Sequence, residues 1–216
     1  MVKGCTHHLA KYLGVLIDHN LNFNTHLRSV GNKLSRAQGM LSKLKHYVKT
    51  STLRSIYFSI FSSILTYASM IWGQNKTVQF NRIEAIQNKT VKILNSARYL
   101  DSPSISYKTL KILKIRDHIK LQNFMFTHDC LIKHTPPAIV DNFNLVSSRH
   151  NYETRLSCNN SVSLPKVNTT IFGLNNISYQ SASEWNFFIK KFHLDLLNKS
   201  KLFCKQKILK HFLDSY

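Results

Sequence analysis

At 216 residues with 43% hydrophobic content, the chain is long enough to bury a core, as one sizeable domain or a helical domain with a small appendage. Its 30 Lys and Arg against 10 Asp and Glu leave a formal net charge of +20, which places it beside polyanions: nucleic acid first, an acidic membrane surface second, with an Asn- and Lys-rich composition from an AT-rich genome as the neutral explanation. The four cysteines, Cys5, Cys130, Cys158 and Cys204, contain no C-x-x-C pair; no zinc ribbon or redox motif is spelled out, and a reducing intracellular setting, nucleus or cytoplasm, is the expectation.

From Met1 to His8 there is no apolar run of the secretory type. The glycosylation patterns at Asn75, Asn88, Asn159, Asn168, Asn176 and Asn198 therefore read as chance in an Asn-rich chain. Tyr12 to Asp18, YLGVLID, is a short apolar run with β-branched residues that stops at His19 and Asn20, and it predicts a buried strand. Leu27, Leu34, Leu41 and Val48 then recur every seven residues, with Val30, Ala37 and Leu44 between them, which predicts one amphipathic helix. That segment carries Arg28, Lys33, Arg36, Lys43, Lys45 and Lys49 and no acid. A solvated face usually mixes signs, so an unmixed one points to a nearby anion.

Thr50, Ser51 and Thr52 offer an N-cap for a second helix. No charge occurs from Ser55 to Trp72, a length that would span a bilayer. Ser55, Ser59, Ser62, Thr66 and Ser69 line up at helical spacing there, which favours a central buried helix with one small-residue face for close packing. A third helix is predicted from about Phe80 to Ala97, with Arg82, Lys89 and Lys92 off its apolar side. Pro103 breaks the chain, helical stretches follow around Tyr107 to Leu113 and Asp117 to Lys133, and Pro136 and Pro137 stop regular structure. Beyond residue 141 the Asn, Ser and Thr texture predicts loops and a few short strands, before a final helix from Lys199 to Leu213.

No catalytic constellation is visible. Template-directed polymerisation needs two metal ions held by neighbouring carboxylates, and here even the nearest acids, Glu184 and Asp195, are eleven residues apart. Asp18 at the strand end reads as a turn former. The eleven histidines show no His-x-x-x-His pair, and with six glycines no phosphate-binding loop is spelled out. No metal ligand is assigned.

Several stretches in fixed order nonetheless resemble one family. KYLGVLIDHNLNFNTHL, Lys11 to Leu27, resembles the segment after the catalytic palm in reverse transcriptases of non-LTR retrotransposons, especially the jockey-like group, through Tyr12, Leu13, Gly14, Val15, Asp18, Leu21, Phe23 and His26. The stretch from Lys33 to Trp72 and Gly73 is similar to their thumb-like helices. NRIEAIQNKTVKIL, Asn81 to Leu94, is similar to their Gln87-Asn88-Lys89 helix. The match continues through Leu110 to Phe126, through His150 to Arg155, and to a Trp185-Asn186 pair.

This resemblance implies the end of a palm-like β segment at 1–26, a thumb-like helical domain at 27–135 and a post-thumb region at 136–216. The implied fold is mainly α: a helical bundle with a short N-terminal β-strand or hairpin and an irregular α+β C-terminal part. In this family the aromatic-Ala-Asp-Asp catalytic hairpin would lie upstream of Met1, so the expectation is a truncated fragment that is not an enzyme and needs no cofactor, Mg²⁺ belonging to the intact parent. The implied partner is an RNA or DNA duplex, a primer-template, with no small-molecule substrate and no membrane. The candidate backbone-binding residues are Arg28, Lys33, Arg36, Lys43, Lys45, Lys49, Lys89, Lys92, Arg149 and Arg155. A domesticated, non-catalytic RNA- or DNA-binding module is the alternative, and a membrane-associated helical protein a third.

Overall fold

Leu13 and Gly14 both take positive φ, 45° and 82°, the backbone of a two-residue hairpin loop whose twist matches its flanking strands. They join β1 (Ala10–Tyr12) to β2 (Val15–Ile17) in antiparallel register, with Tyr12 opposite Val15. The Tyr12 to Asp18 run, expected as one buried strand, therefore straddles a hairpin, with Tyr12 ending β1, Leu13 and Gly14 in the loop and Val15 to Ile17 forming β2; β1 is exposed and only Val15 reaches the core. Asp18 forms a turn as expected, its carboxylate accepting the Asn22 N–H at 2.7 Å. The computed structural model describes residues 9–74, 77–148, 160–169, 172–192 and 196–216. They divide into one unit formed by residues up to 115 with Tyr216, and a second formed by 116–215. Both are mainly α-helical.

In the first unit, α1 (Asn24–Leu44) buries Leu27, Val30, Leu34, Ala37 and Leu41, the predicted stripe. It ends before Val48. It packs along α5 (Val78–Leu94), where Gly31 meets Ile83 and Ile86.

The stretch after Lys49, uncharged from Ser55 to Trp72, is not the single buried helix expected. It is α2 (Thr50–Ile56), a π-helical segment (Tyr57–Ser62), α3 (Ser63–Thr66) and α4 (Ser69–Trp72). Up to the end of α3 its buried residues, Leu53, Tyr57, Phe61 and Leu65, recur every fourth position. In a pure α-helix four residues overshoot a turn by about 40°, so such a row would spiral off the core; the wider π turn absorbs the excess. Phe58 and Ile60 face outward at 41% and 37% exposure. Of the small polar row expected there only Ser69 is buried, while Ser55, Ser59 and Thr66 bond back to their own helix carbonyls. Extended backbone at Tyr67 and left-handed backbone at Ala68 end α3 and start α4. Trp72 is thereby turned inward, its indole N–H donating to the Tyr67 carbonyl at 2.9 Å. Lys49, with no side-chain bond, occupies the N-cap that Thr50 to Thr52 were expected to supply.

Pro103 does not break helical structure but begins α6 (Pro103–Leu110) at the first helical position, behind a Ser102 cap. Two amides of α5 pin the chain beyond it. Gln87 Nε2 donates to the Leu113 carbonyl at 2.9 Å and to Tyr57 Oη at 3.3 Å, while its Oε1 accepts the Ile115 N–H at 2.9 Å. Asn88 Oδ1 accepts the Tyr107 hydroxyl at 2.9 Å.

The second unit holds most of α7 (Ile115–Leu131), then α8 (Pro137–Val140), α9 (Ile177–Phe192) and α10 (Lys201–Asp214). Phe124 stacks on Trp185 with ring centroids 4.7 Å apart and meets Phe188 edge-on at 5.6 Å. Asn186 acts as a strand partner would, donating to the Val162 carbonyl and accepting its N–H, both at 2.8 Å. α9 corrects the expectation of loops and short strands between residue 141 and the last helix. Its inward face carries Ser181 and Ala182 beside Trp185, Phe188 and Ile189, so half of the stripe has no apolar bulk to signal it. Pro137 likewise opens the short α8 rather than stopping regular structure.

Candidate nucleic-acid interface

α1 has its apolar stripe against the rest of its unit, so helical geometry turns the remaining positions outward. Arg28, Lys33, Arg36 and Lys43 are all exposed, and no acid occurs anywhere in the helix. Arg28, Arg36 and Lys43 stand opposite the buried stripe, and Lys33 on its flank. Lys45 follows the last turn and is only half exposed; Lys49 is exposed at the start of α2.

On the neighbouring α5, Lys89 is exposed, and Arg82, placed off the apolar side by its pattern but not counted among the candidate backbone-binding residues, is exposed beside α1 with its guanidinium donating to Asn32 Oδ1 at 3.4 Å. The signal that could have found Arg82 is its seven-residue spacing from Lys89, which keeps both on one helix face. Lys92 stands apart from this group. Its ammonium donates to the Tyr99 carbonyl at 2.7 Å and lies 5.9 Å over the Tyr99 ring, so it fastens the loop after α5. Arg149 and Arg155, with the whole HNYETR stretch, lie outside the described residues. Of the Gln87-Asn88-Lys89 run, the two amides are structural and Lys89 alone faces solvent.

Between the hairpin and the helices of this unit lies a cavity of about 390 Å³ lined by Leu13, Gly14, His26, Val30, Lys33, Ser63, Ile64 and Tyr67. His26 Nδ1 accepts the Leu16 N–H at 3.4 Å, which in a neutral ring leaves the proton on Nε2, and Nε2 is buried without a partner. Burial first, and then the Lys33 ammonium, hold His26 below the ordinary histidine range. Tyr67 closes one wall, its hydroxyl donating to the Leu13 carbonyl at 2.5 Å.

Among the described residues no group of three or more His, Cys, Asp or Glu could hold a metal ion. Those described residues thus form no site for the Mg²⁺ that a polymerase family implies. Among the same residues no helix is long and apolar enough to cross a membrane.

The chain is 30% identical over 133 residues, 58% of its length, to the probable RNA-directed DNA polymerase from transposon X-element of Drosophila melanogaster. It is 26% identical over 138 residues to that from transposon BS and 28% identical over 122 residues to that from mobile element jockey, both of the same organism. This chain resembles the reverse transcriptases of non-LTR retrotransposons. It spans only 14%, 15% and 13% of the lengths of these polymerases. No family model matches it, and no solved structure does. The relatives overturn the expectation that the chain is not an enzyme: all three carry the name polymerase, and a match to about a seventh of their length says nothing about catalytic residues elsewhere.

Proposed function

We propose that this chain is the part of a transposable-element RNA-directed DNA polymerase that holds the duplex, a thumb-like helical lobe gripping primer-template by its phosphate backbone. The observation that carries this reading is the outer face of α1, where Arg28, Lys33, Arg36 and Lys43 are exposed with no acid in the helix. Arg82 and Lys89 extend that charge onto α5. Cations on a rigid helix face, backed by a packed apolar stripe, neutralise phosphates and release condensed counterions, with little sequence readout. The named activity of the relatives supports the choice of nucleic acid over other polyanions.

The test is the salt dependence of binding to a primer-template duplex. Replacing Arg28, Lys33, Arg36 and Lys43 together with Gln is expected to flatten the slope of log K against log salt by roughly one unit for each phosphate that is no longer neutralised. Helix content should hold, since the buried stripe is untouched. An unchanged slope with preserved circular dichroism would show that this face is only solvated surface.

A further inference from the structure

A second surface, in the other unit, has a different chemistry. On α9 the residues turned away from Trp185 and Phe188 include Phe187, Lys190 and Lys191, which share one helix face at three- and four-residue spacing. Phe187 leaves 51% of its surface in solvent. Its ring is braced edge-on by Phe188 at 5.2 Å, and Lys191 Nζ lies 5.5 Å from its centroid. Where α10 meets the end of α9, Lys207 Nζ lies 5.9 Å over the half-buried Phe192 ring, which contacts His211 at 5.7 Å. Lys207 and Lys210 are exposed. Among the described residues the acids nearby are few: Glu184 is the sole acid of α9, half-buried near Lys120 and Asp117, while Asp214 ends α10 and, with Asp117, faces His211.

An exposed aromatic ring costs solubility and, left bare, returns nothing to the fold. A protein partner would be expected to meet a face poor in lysine, because lysine is depleted in such interfaces. A membrane would need a continuous apolar stripe, whereas on α9 the ring stands between lysines. A rigid ring framed by cations matches unpaired nucleotides, whose bases stack while their phosphates meet the ammonium groups. We propose that the outer face of α9, centred on Phe187 with Lys190 and Lys191, is a stacking platform for single-stranded nucleic acid. It is separate from the duplex-binding face proposed for α1 and does not depend on it.

The experiment uses the full chain and two probes, a fluorescein-labelled oligouridylate and the same strand fully paired. Phe187→Ala is expected to weaken oligouridylate binding about tenfold, the loss typical of one stacked base, while leaving the duplex constant unchanged. Phe187→Trp should restore binding, and Phe187→Leu, which keeps apolar bulk without a ring, should not. Because Phe187 is half exposed the fold should survive, and the Leu and Trp variants compare two large side chains if the Ala variant does not fold. The proposal is overturned if wild type does not bind oligouridylate, if Phe187→Leu binds as well as wild type, or if Phe187→Ala abolishes binding to phosphatidylserine vesicles and leaves oligouridylate binding intact.

Discussion

Replacing Gln87 with Leu removes a side chain that is 2% exposed and satisfies three other groups at once: the Leu113 carbonyl, the Ile115 N–H and the Tyr57 hydroxyl. Leu has nearly the same volume, so little cavity is created and the loss is polar. Each buried group left without a partner costs about 1–3 kcal/mol. Two backbone groups and a hydroxyl that is already weakly held at 3.3 Å place the expected loss at about 3–5 kcal/mol. That is a large part of the stability of a typical domain. Urea unfolding followed by circular dichroism reads it as a lowered midpoint at unchanged slope. Gln87→Glu supplies an internal check. A carboxylate cannot donate to the Leu113 carbonyl, but a carboxylic acid can, so the Glu variant should recover relative to wild type as pH falls. Tyr57→Phe should cost no more than about 1 kcal/mol, since it removes only the longest of the three bonds. A loss below about 1 kcal/mol for Gln87→Leu would refute the idea that this amide clamps the chain between α6 and α7.

Leu34→Ala, at a fully buried position of α1, should cost about 2–5 kcal/mol in the same assay. Gly31→Ala should raise stability by about 0.5–1 kcal/mol: a Cβ there would sit 4.0 Å from Ile83 and Ile86, ordinary contact, and helical glycine carries an entropic cost; a lower midpoint would show that the α1 to α5 packing cannot give. Leu13→Asn should raise the thermal midpoint, because Asn tolerates the 45° φ that Leu13 adopts, and no change would mean that the cavity contact of Leu13 outweighs its backbone strain. His118 is held down to about 4 by burial first and the Lys205 charge second. Its unfolded form takes up a proton first as pH drops, so stability is intact above about pH 6.5 and falls by roughly 3 kcal/mol towards pH 4. His118→Gln should flatten that acid limb, and an unchanged limb would locate the loss in other groups.

The sequence made α1 legible because large aliphatic residues mark each turn of its buried stripe, Leu27, Leu34 and Leu41 above all. α9 escaped because two of its inward positions, Ser181 and Ala182, carry too little apolar bulk for periodicity to register. The hairpin was foreseen by the family resemblance as one of two forms, but not by hydropathy, which assigns Leu13 to a strand although its backbone is left-handed. Residues 50–72 showed helical spacing without showing its pitch, which only the π turn and the break at Ala68 reveal. For the basic face, type and spacing of the side chains sufficed to put Arg28, Arg36 and Lys43 outward. They could not predict that Lys92 is spent on the carbonyl of Tyr99, a partner in a loop with no periodicity.

The π segment from Tyr57 to Ser62 also bears on how this chain tolerates changes of length. A π turn is an α-helix carrying one surplus residue, lodged without unthreading the helix on either side. Deleting one outward residue of the segment, Phe58 or Ser59, would leave Leu53, Tyr57, Phe61 and Leu65 at spacings of four, three and four, the stripe of an ordinary α-helix, so the same side chains would still face the core. A residue removed from the regular helix on either side has no such reserve and would rotate everything beyond it by about 100°. The segment is thus the place in this stretch where the chain can shed a residue without exchanging its core.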